Sequence, residues 1–227
     1  MNTSSITPQS FILEFLNPPM NHSVDNTQKL FTELKDTYAN YTRPADNVTE
    51  LSHIDRNSQE VKKLVIARDK IIILNEFTSA TLDSFWKIAS DDIKKAVTIL
   101  NIPLFFYRQY TIRFTASPLK EKDSRIFLGN RVCALDEAKL KPFGRPILGI
   151  GMRFFIPAIQ TEQNEYNIRV ESLLQDTGRI FLENQARFLV PLQLQGDYVN
   201  KVKEEVDKTY KFLRENISAF LEQYNSL

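Results

Sequence analysis

The chain has 227 residues, 42% hydrophobic and 25% charged, with 29 basic and 28 acidic side chains and a formal net charge of +1. That composition excludes a disordered chain and is enough for a substantial core, as one domain over 1–227 or as two packed halves at about 9–116 and 123–227. The balanced charge argues against nucleic acid or an anionic membrane as partner; a single cysteine, Cys133, excludes an internal disulfide and a cysteine-rich zinc site; and only six glycines disfavour phosphate-cradling loops.

Residues 1–8 form a polar lead-in without the basic and long apolar regions of a secretory signal, so the expected location is the cytoplasm. The Asn-x-Ser/Thr triplets at Asn21, Asn40, Asn47 and Asn216 then read as accidents of composition. Ser10–Leu16 is a short apolar strand stopped by Asn17-Pro18-Pro19. Ser23, Asp25 or Asn26 caps a helix to about Ala39, with Leu30, Phe31, Leu34 and Tyr38 on its apolar side. Residues 39–47 read as a loop, Val48–Ile54 as a strand and Asp55–Gln59 as a turn. Val61–Leu74 is strand-like, with Arg68-Asp69-Lys70 a bulge or tight turn, and Ile71–Leu74 suggests burial on both faces.

A second helix is predicted from about Ser79 to Leu100, with Leu82, Phe85, Ile88, Ala89, Ile93, Ala96 and Val97 in its stripe. On it, Asp91-Asp92 beside Lys94-Lys95 reads as a solvated face. Leu104–Thr115 follows as a long strand with Leu104, Phe106, Tyr110, Ile112 and Phe114 on one side, interrupted by Arg108, which if buried needs a carboxylate. Pro118–Asp123 is turn-like, Arg125–Leu135 a strand, and Asp136–Lys141 a short helical turn.

The stretch Ile147–Val190 organises the rest, as three antiparallel strands. Period-two alternation puts Leu148, Ile150, Met152, Phe154 and Ile156 on one face of the first, Tyr166, Ile168 and Val170 on one face of the second, and Ile180, Leu182, Ala186, Phe188 and Val190 on one face of the third. Asp176-Thr177-Gly178 turns the last pair into a hairpin. The apolar face needs a cover, which a helix from Val199 to Leu227 supplies through Val199, Val202, Val206, Leu213, Ile217, Phe220, Tyr224 and Leu227, leaving residues such as Lys203, Glu205 and Lys208 on its outer surface. The fold class is α+β: largely antiparallel sheet packed against three main helices, the C-terminal one long and amphipathic. The order strand–helix–strands early and strands–helix late permits an internal duplication, although no residue-level repeat supports one.

No motif carries chemistry. Gly149-Ile150-Gly151 lies inside a strand and reads as a place that admits a neighbouring side chain. His22 and His53 lack second ligands at metal spacing, and no nucleophile elbow is present. No catalytic residue, metal or cofactor is therefore expected. Arg153, Arg169 and Arg187 fall on the polar faces of three successive strands, where a band of guanidiniums binds a carboxylate or phosphate unless Glu171 and Glu183 neutralise it. With Arg108 they are the ligand-binding candidates.

Lys63-Leu64-Val65-Ile66, Ile71-Ile72-Ile73-Leu74-Asn75, the helix bearing Phe85-Trp86-Lys87-Ile88 and the strand Tyr110–Phe114 together resemble a sporadically distributed family of uncharacterised prokaryotic proteins of similar length. The resemblance covers the first half and implies no catalytic residue. The sequence thus leads to a non-catalytic binding or interaction protein whose partner is a small molecule or a protein. The alternatives are a helix-grip carrier of an apolar or acidic ligand and an enzyme using the polar sheet face. An open edge or face also leaves room for a homodimer.

Overall fold

The computed structural model describes residues 6–118 and 121–224. In chain order these form β1 (Thr7–Leu16), α1 (Val24–Glu33), β2 (Asn40–Ala45), β3 (Val48–Ile54), β4 (Val61–Ile66), β5 (Lys70–Glu76), α2 (Leu82–Leu100), β6 (Leu104–Phe105) and β7 (Tyr107–Ala116). There follow α3 (Ser124–Ile126) running into a π turn (Phe127–Val132), α4 (Glu137–Leu140), β8 (Gly151–Ile156), β9 (Asn164–Ser172), β10 (Ile180–Phe188) and β11 (Leu192–Gln193). The chain closes with α5 (Tyr198–Lys211), a second π turn (Phe212–Ile217) and α6 (Ser218–Glu222). The α+β class holds, but with several short helices beyond the three expected.

Nine strands make one antiparallel sheet in the order β2-β3-β4-β5-β1-β7-β10-β9-β8, and β6 pairs with β11 apart from it. The chain runs strand–helix–strands–helix twice, from β1 to α2 and from β7 to α5, and the two leading strands lie side by side at the sheet centre. Alternation decides which face is buried. Phe11, Leu13 and Phe15 of β1, Tyr110, Ile112 and Phe114 of β7, and Ile180, Leu182 and Ala186 of β10 all point to the helix layer and are fully buried.

The helices pack there through rings. Phe11 stacks on Phe85 of α2 at 4.8 Å, Tyr210 of α5 meets Phe114 edge-on at 5.2 Å, and Tyr166 of β9 stacks on Phe212 at 4.1 Å. The expected cover by the terminal helix is present: Phe188 is 8% exposed and Met152 packs against the core. Its buried stripe is Val202, Val206, Thr209, Leu213, Ile217 and Leu221. The π turn inserts an extra residue per turn, which shifts the stripe so that Leu221 is fully buried and Phe220 only half-buried. Leu227 lies outside the described residues, as does most of the N-terminal lead-in.

Several expectations are corrected. Residues 40–45, read as loop, form an edge strand, because a polar strand with Pro44 carries no alternation to read. Arg125–Leu135, read as a strand, is helical as far as Val132: Phe127 and Leu128 are buried from a helical turn, and short apolar runs do not distinguish the two periods. The first helix stops at Glu33, and turns at Leu34 carry the chain on. Arg68-Asp69-Lys70 is a tight turn in which Ala67 N–H donates to Lys70 O. Ile71 and Ile73 face the helices, whereas Ile72 and Leu74 lie half-buried on the opposite face, so burial of this strand is one-sided. The strand at Leu104 breaks, with Phe105 buried and Phe106 48% exposed, the reverse of the reading. The first strand of the organising stretch begins at Gly151, leaving Leu148 68% exposed.

Candidate functional site

The helix–sheet contacts of α2 and α5 fall on the face of Phe11 and Phe114; the side chains that alternate to the second face of the large sheet are half-buried or, as at Ser10, Thr111 and Glu183, buried among their neighbours. The register of that second face is read directly from the pairing: Ile12 lies between Leu74 and Thr111, Glu14 between Ile72 and Gln109, and Ser10 between Glu76 and Arg113. Beyond β7 come Glu183 and Gln185 of β10, Arg169 and Asn167 of β9, and Arg153 and Phe155 of β8. Apolar Ile12, Ile72 and Leu74 thus sit among polar and charged side chains on the face away from α2 and α5.

Three of the four candidate arginines share this face without forming a free cationic band. Arg169 is held by Glu171 at 2.9 Å and Glu183 at 3.4 Å, and its guanidinium lies 5.7 Å over the Phe181 ring. The Glu171 hydrogen bond leads in holding its pKa above the ordinary value. Arg153 is directly opposite Arg169 and donates from Nε to Asn167 Oδ1 at 2.7 Å. Arg187 donates to Gln109 Oε1 at 3.3 Å. It is paired with Glu165, four residues along β9 from Arg169 and so about 13 Å away by strand rise, which splits the supposed band.

Arg113, missed in the sequence, completes the row: it donates to Glu183 at 2.7 Å and Glu76 at 3.3 Å. Alternation on β7 places it with Gln109 and Thr111, and that signal was available. Glu171 and Glu183 converge on one guanidinium and on no vacant point between them. The geometry is an ion-pair ladder, each partly exposed rung contributing about 0–1 kcal/mol.

A hollow of about 320 Å³ opens at the end of this row, bounded by Phe77, Leu173 and Phe181 over Ser10, Arg113 and Glu183. Phe77 is 66% exposed and has φ 54°, a left-handed backbone that costs a side-chain-bearing residue roughly 1–2 kcal/mol. Its neighbours hold it there. Glu60 Oε1 accepts from Thr78 Oγ1 at 2.6 Å and from Asn75 Nδ2 at 2.9 Å, and Ala80 N–H donates to Thr78 Oγ1 at 3.0 Å. Burial alone would raise the Glu60 pKa; these hydrogen bonds outweigh it and hold the carboxyl below its ordinary range. Ser10, 2% exposed, keeps an Oγ without a partner at the floor. Nothing in the local sequence announces a strained Phe77.

Arg108 belongs to the other face. It is 3% exposed, donates Nε and Nη2 to the two Glu205 oxygens at 2.8 and 2.6 Å, and Nη1 to Val190 O at 2.8 Å. Tyr110 Oη donates to Glu205 at 2.8 Å. Burial alone would lower the guanidinium pKa, and Glu205 reverses that. Arg108 is thus a satisfied structural arginine, and Glu205, read as surface, is its partner. Asp92 is corrected likewise: it is 0% exposed, and its Oδ2 accepts from Tyr38 Oη at 2.7 Å. Desolvation pushes its pKa up to about 7, the Tyr38 hydrogen bond pulling the other way.

Cys133 is half-buried with its thiol pKa raised by burial. Among the described residues no three His, Cys, Asp or Glu side chains converge as metal ligands, and no helix is long and apolar enough to cross a membrane. A Cβ on Gly151 would meet Glu171 Cγ at 2.5 Å and Val170 O at 2.8 Å, so the glycine admits a neighbour as expected.

No family model and no curated protein matches the chain. The solved structure of Methanococcus jannaschii TBP aligns over 91% of this chain and 99% of that one, at 11% identity with a TM-score of 0.36. A likeness at that level fixes neither fold family nor function.

Proposed function

We propose that the chain is a cytoplasmic, non-catalytic binding protein that engages a protein partner through the second face of its nine-stranded sheet. The observation that carries this reading is the one-sided cover: α2 and α5 pack on the face of Phe11 and Ile112, while Ile12, Ile72 and Leu74 stand half-buried on the other. A half-buried face of mixed apolar and paired polar groups is ordinary for a protein–protein surface. Glu76, Glu171 and Glu183 pair with Arg113 and Arg169 and interrupt any cationic band, which speaks against nucleic acid, and the hollow beside Phe77 is suited to an apolar side chain of the partner.

The carrier alternative needs space between helix and sheet. That layer is occupied by Phe11, Phe85, Phe114 and Tyr210 in ring contact. An enzyme built on Glu171, Glu183 and Arg153 loses its free carboxylates to Arg169.

The test is affinity capture with the wild type and two variants. Ile72→Thr/Leu74→Thr keeps strand propensity while removing the apolar strip, and Lys201→Glu/Lys211→Glu alters the exposed helix surface. The proposal expects partners lost only with the first. Partners retained by it and lost with the second contradict it.

A further inference from the structure

The two edges of the large sheet differ. β2 carries Asn40, Thr42, Arg43 and Pro44, has a register shift between Thr42 and Ala45, and is largely exposed and polar, all of which oppose strand addition. β8, Gly151-Met152-Arg153-Phe154-Phe155-Ile156, has one charge and no proline within it; Pro157 follows directly, which leaves Arg153 and Phe155 as the residues with both backbone groups free to pair outward. Phe155 is 60% exposed, Ile156 37%, and Leu148 and Ile159 flanking the strand 68% and 58%. Ser172 N–H donates to Ile150 O, so in the antiparallel alternation Met152, Phe154 and Ile156 turn their backbone groups to β9, and Gly151, Arg153 and Phe155 turn theirs outward.

We propose that β8 pairs antiparallel with β8 of a second copy of this chain, joining two nine-stranded sheets across a two-fold axis at Phe154. An isologous edge needs a self-complementary register, and charge selects it. With Arg153 opposite Arg153 of the other copy, like charges meet directly, which is unfavourable. With Phe154 at the axis, Arg153 lies opposite the other copy's Phe155, and Phe155 opposite its Arg153. Each pair exchanges both backbone hydrogen bonds and sets a guanidinium against a ring on the second face. Arg153 is available for this: the residue opposite it inward is Arg169, and no carboxylate pairs with it among the described residues. The covered face is compatible, because Phe154 packs against Phe220 of its own chain.

Sedimentation equilibrium over a concentration series from the micromolar range upward tests both the interface and its register. The wild type is expected to be a dimer. Phe155→Lys sets a lysine against the other copy's Arg153 and is expected to raise the dimer dissociation constant by about tenfold or more. Adding Arg153→Glu sets the introduced lysine of one copy against the introduced glutamate of the other and is expected to restore the dimer. Thermal unfolding of monomer-range samples checks that the exposed substitutions leave the fold intact. A wild type that stays monomeric throughout overturns the proposal. So does Phe155→Lys without effect, or a double variant that fails to recover.

Discussion

Burying Asp92 makes stability pH-dependent in a direction opposite to that of an ordinary ion-paired carboxylate. Its folded pKa of about 7 lies above the reference 3.8. At pH below 3.8 both states are protonated and no penalty exists. As pH rises, the unfolded chain loses the proton while the folded protein keeps it, so folding grows less favourable by roughly 1.4 kcal/mol per pH unit until about pH 7. The accumulated cost is about 4 kcal/mol, fully present above pH 7. Asp92→Asn keeps an acceptor for Tyr38 Oη and removes the titration, at a fixed cost of about 1–3 kcal/mol for an amide N–H₂ where Oδ1 has no partner. Urea unfolding of both proteins at intervals from pH 4 to pH 8 isolates the effect, since every other titrating group is common to the pair. The difference is expected to move in favour of the variant by about 3 kcal/mol between pH 4 and pH 7 and to level off above that. A difference that stays constant across that range refutes the burial argument.

Three further outcomes follow from the geometry. Glu205→Leu strands Arg108, 3% exposed, and Tyr110 without their acceptor, and urea unfolding is expected to show a loss of about 3–5 kcal/mol, much of it recovered in Arg108→Met/Glu205→Leu. Phe77→Gly relieves a left-handed backbone while giving up a side chain that is already 66% exposed, so thermal unfolding is expected to show a gain of up to about 1 kcal/mol. Gly151→Ala drives a Cβ onto Val170 O at 2.8 Å, a backbone atom that cannot turn aside; amide exchange of β8 is expected to accelerate while β10 stays protected.

What was legible follows from what alternation and caps encode. β9 and β10 are nearly perfect period-two strings, and their buried sets, Tyr166, Ile168 and Val170 with Ile180, Leu182, Ala186 and Phe188, agree with the reading; Val190, read as part of the same set, lies past the end of β10 and is 52% exposed. Ser23 caps α1 through Asn26 N–H, and Asn101 ends α2 in a left-handed cap. The misses have local causes. β2 is an edge strand whose polar residues meet solvent on both faces, so its pairing with β3 leaves no pattern. Asp92 reads as solvated because Asp91 and Lys95 beside it are an i,i+4 pair, while its own hydrogen-bond donor, Tyr38, lies 54 residues earlier. Of the candidate arginines, Arg169 and Arg153 meet because register sets them opposite. Arg187 falls four residues further along the ladder, and Arg108 lies on the other face, an assignment that needs the buried side of β7 to be known first. Strain at Phe77 and the extra residue in the terminal helix are backbone features with no composition of their own.

The central claim is that one side of the large sheet is covered and the other is open, and neighbouring residues on one strand test it most directly. In a Cys133→Ser background, thiol labelling of Gln185→Cys and Ala186→Cys compares side chains that point to opposite sides of β10. The account predicts ready labelling at 185, suppressed when a partner is bound, and negligible labelling of the folded protein at 186. Equal labelling of the two, or the reverse order, contradicts it.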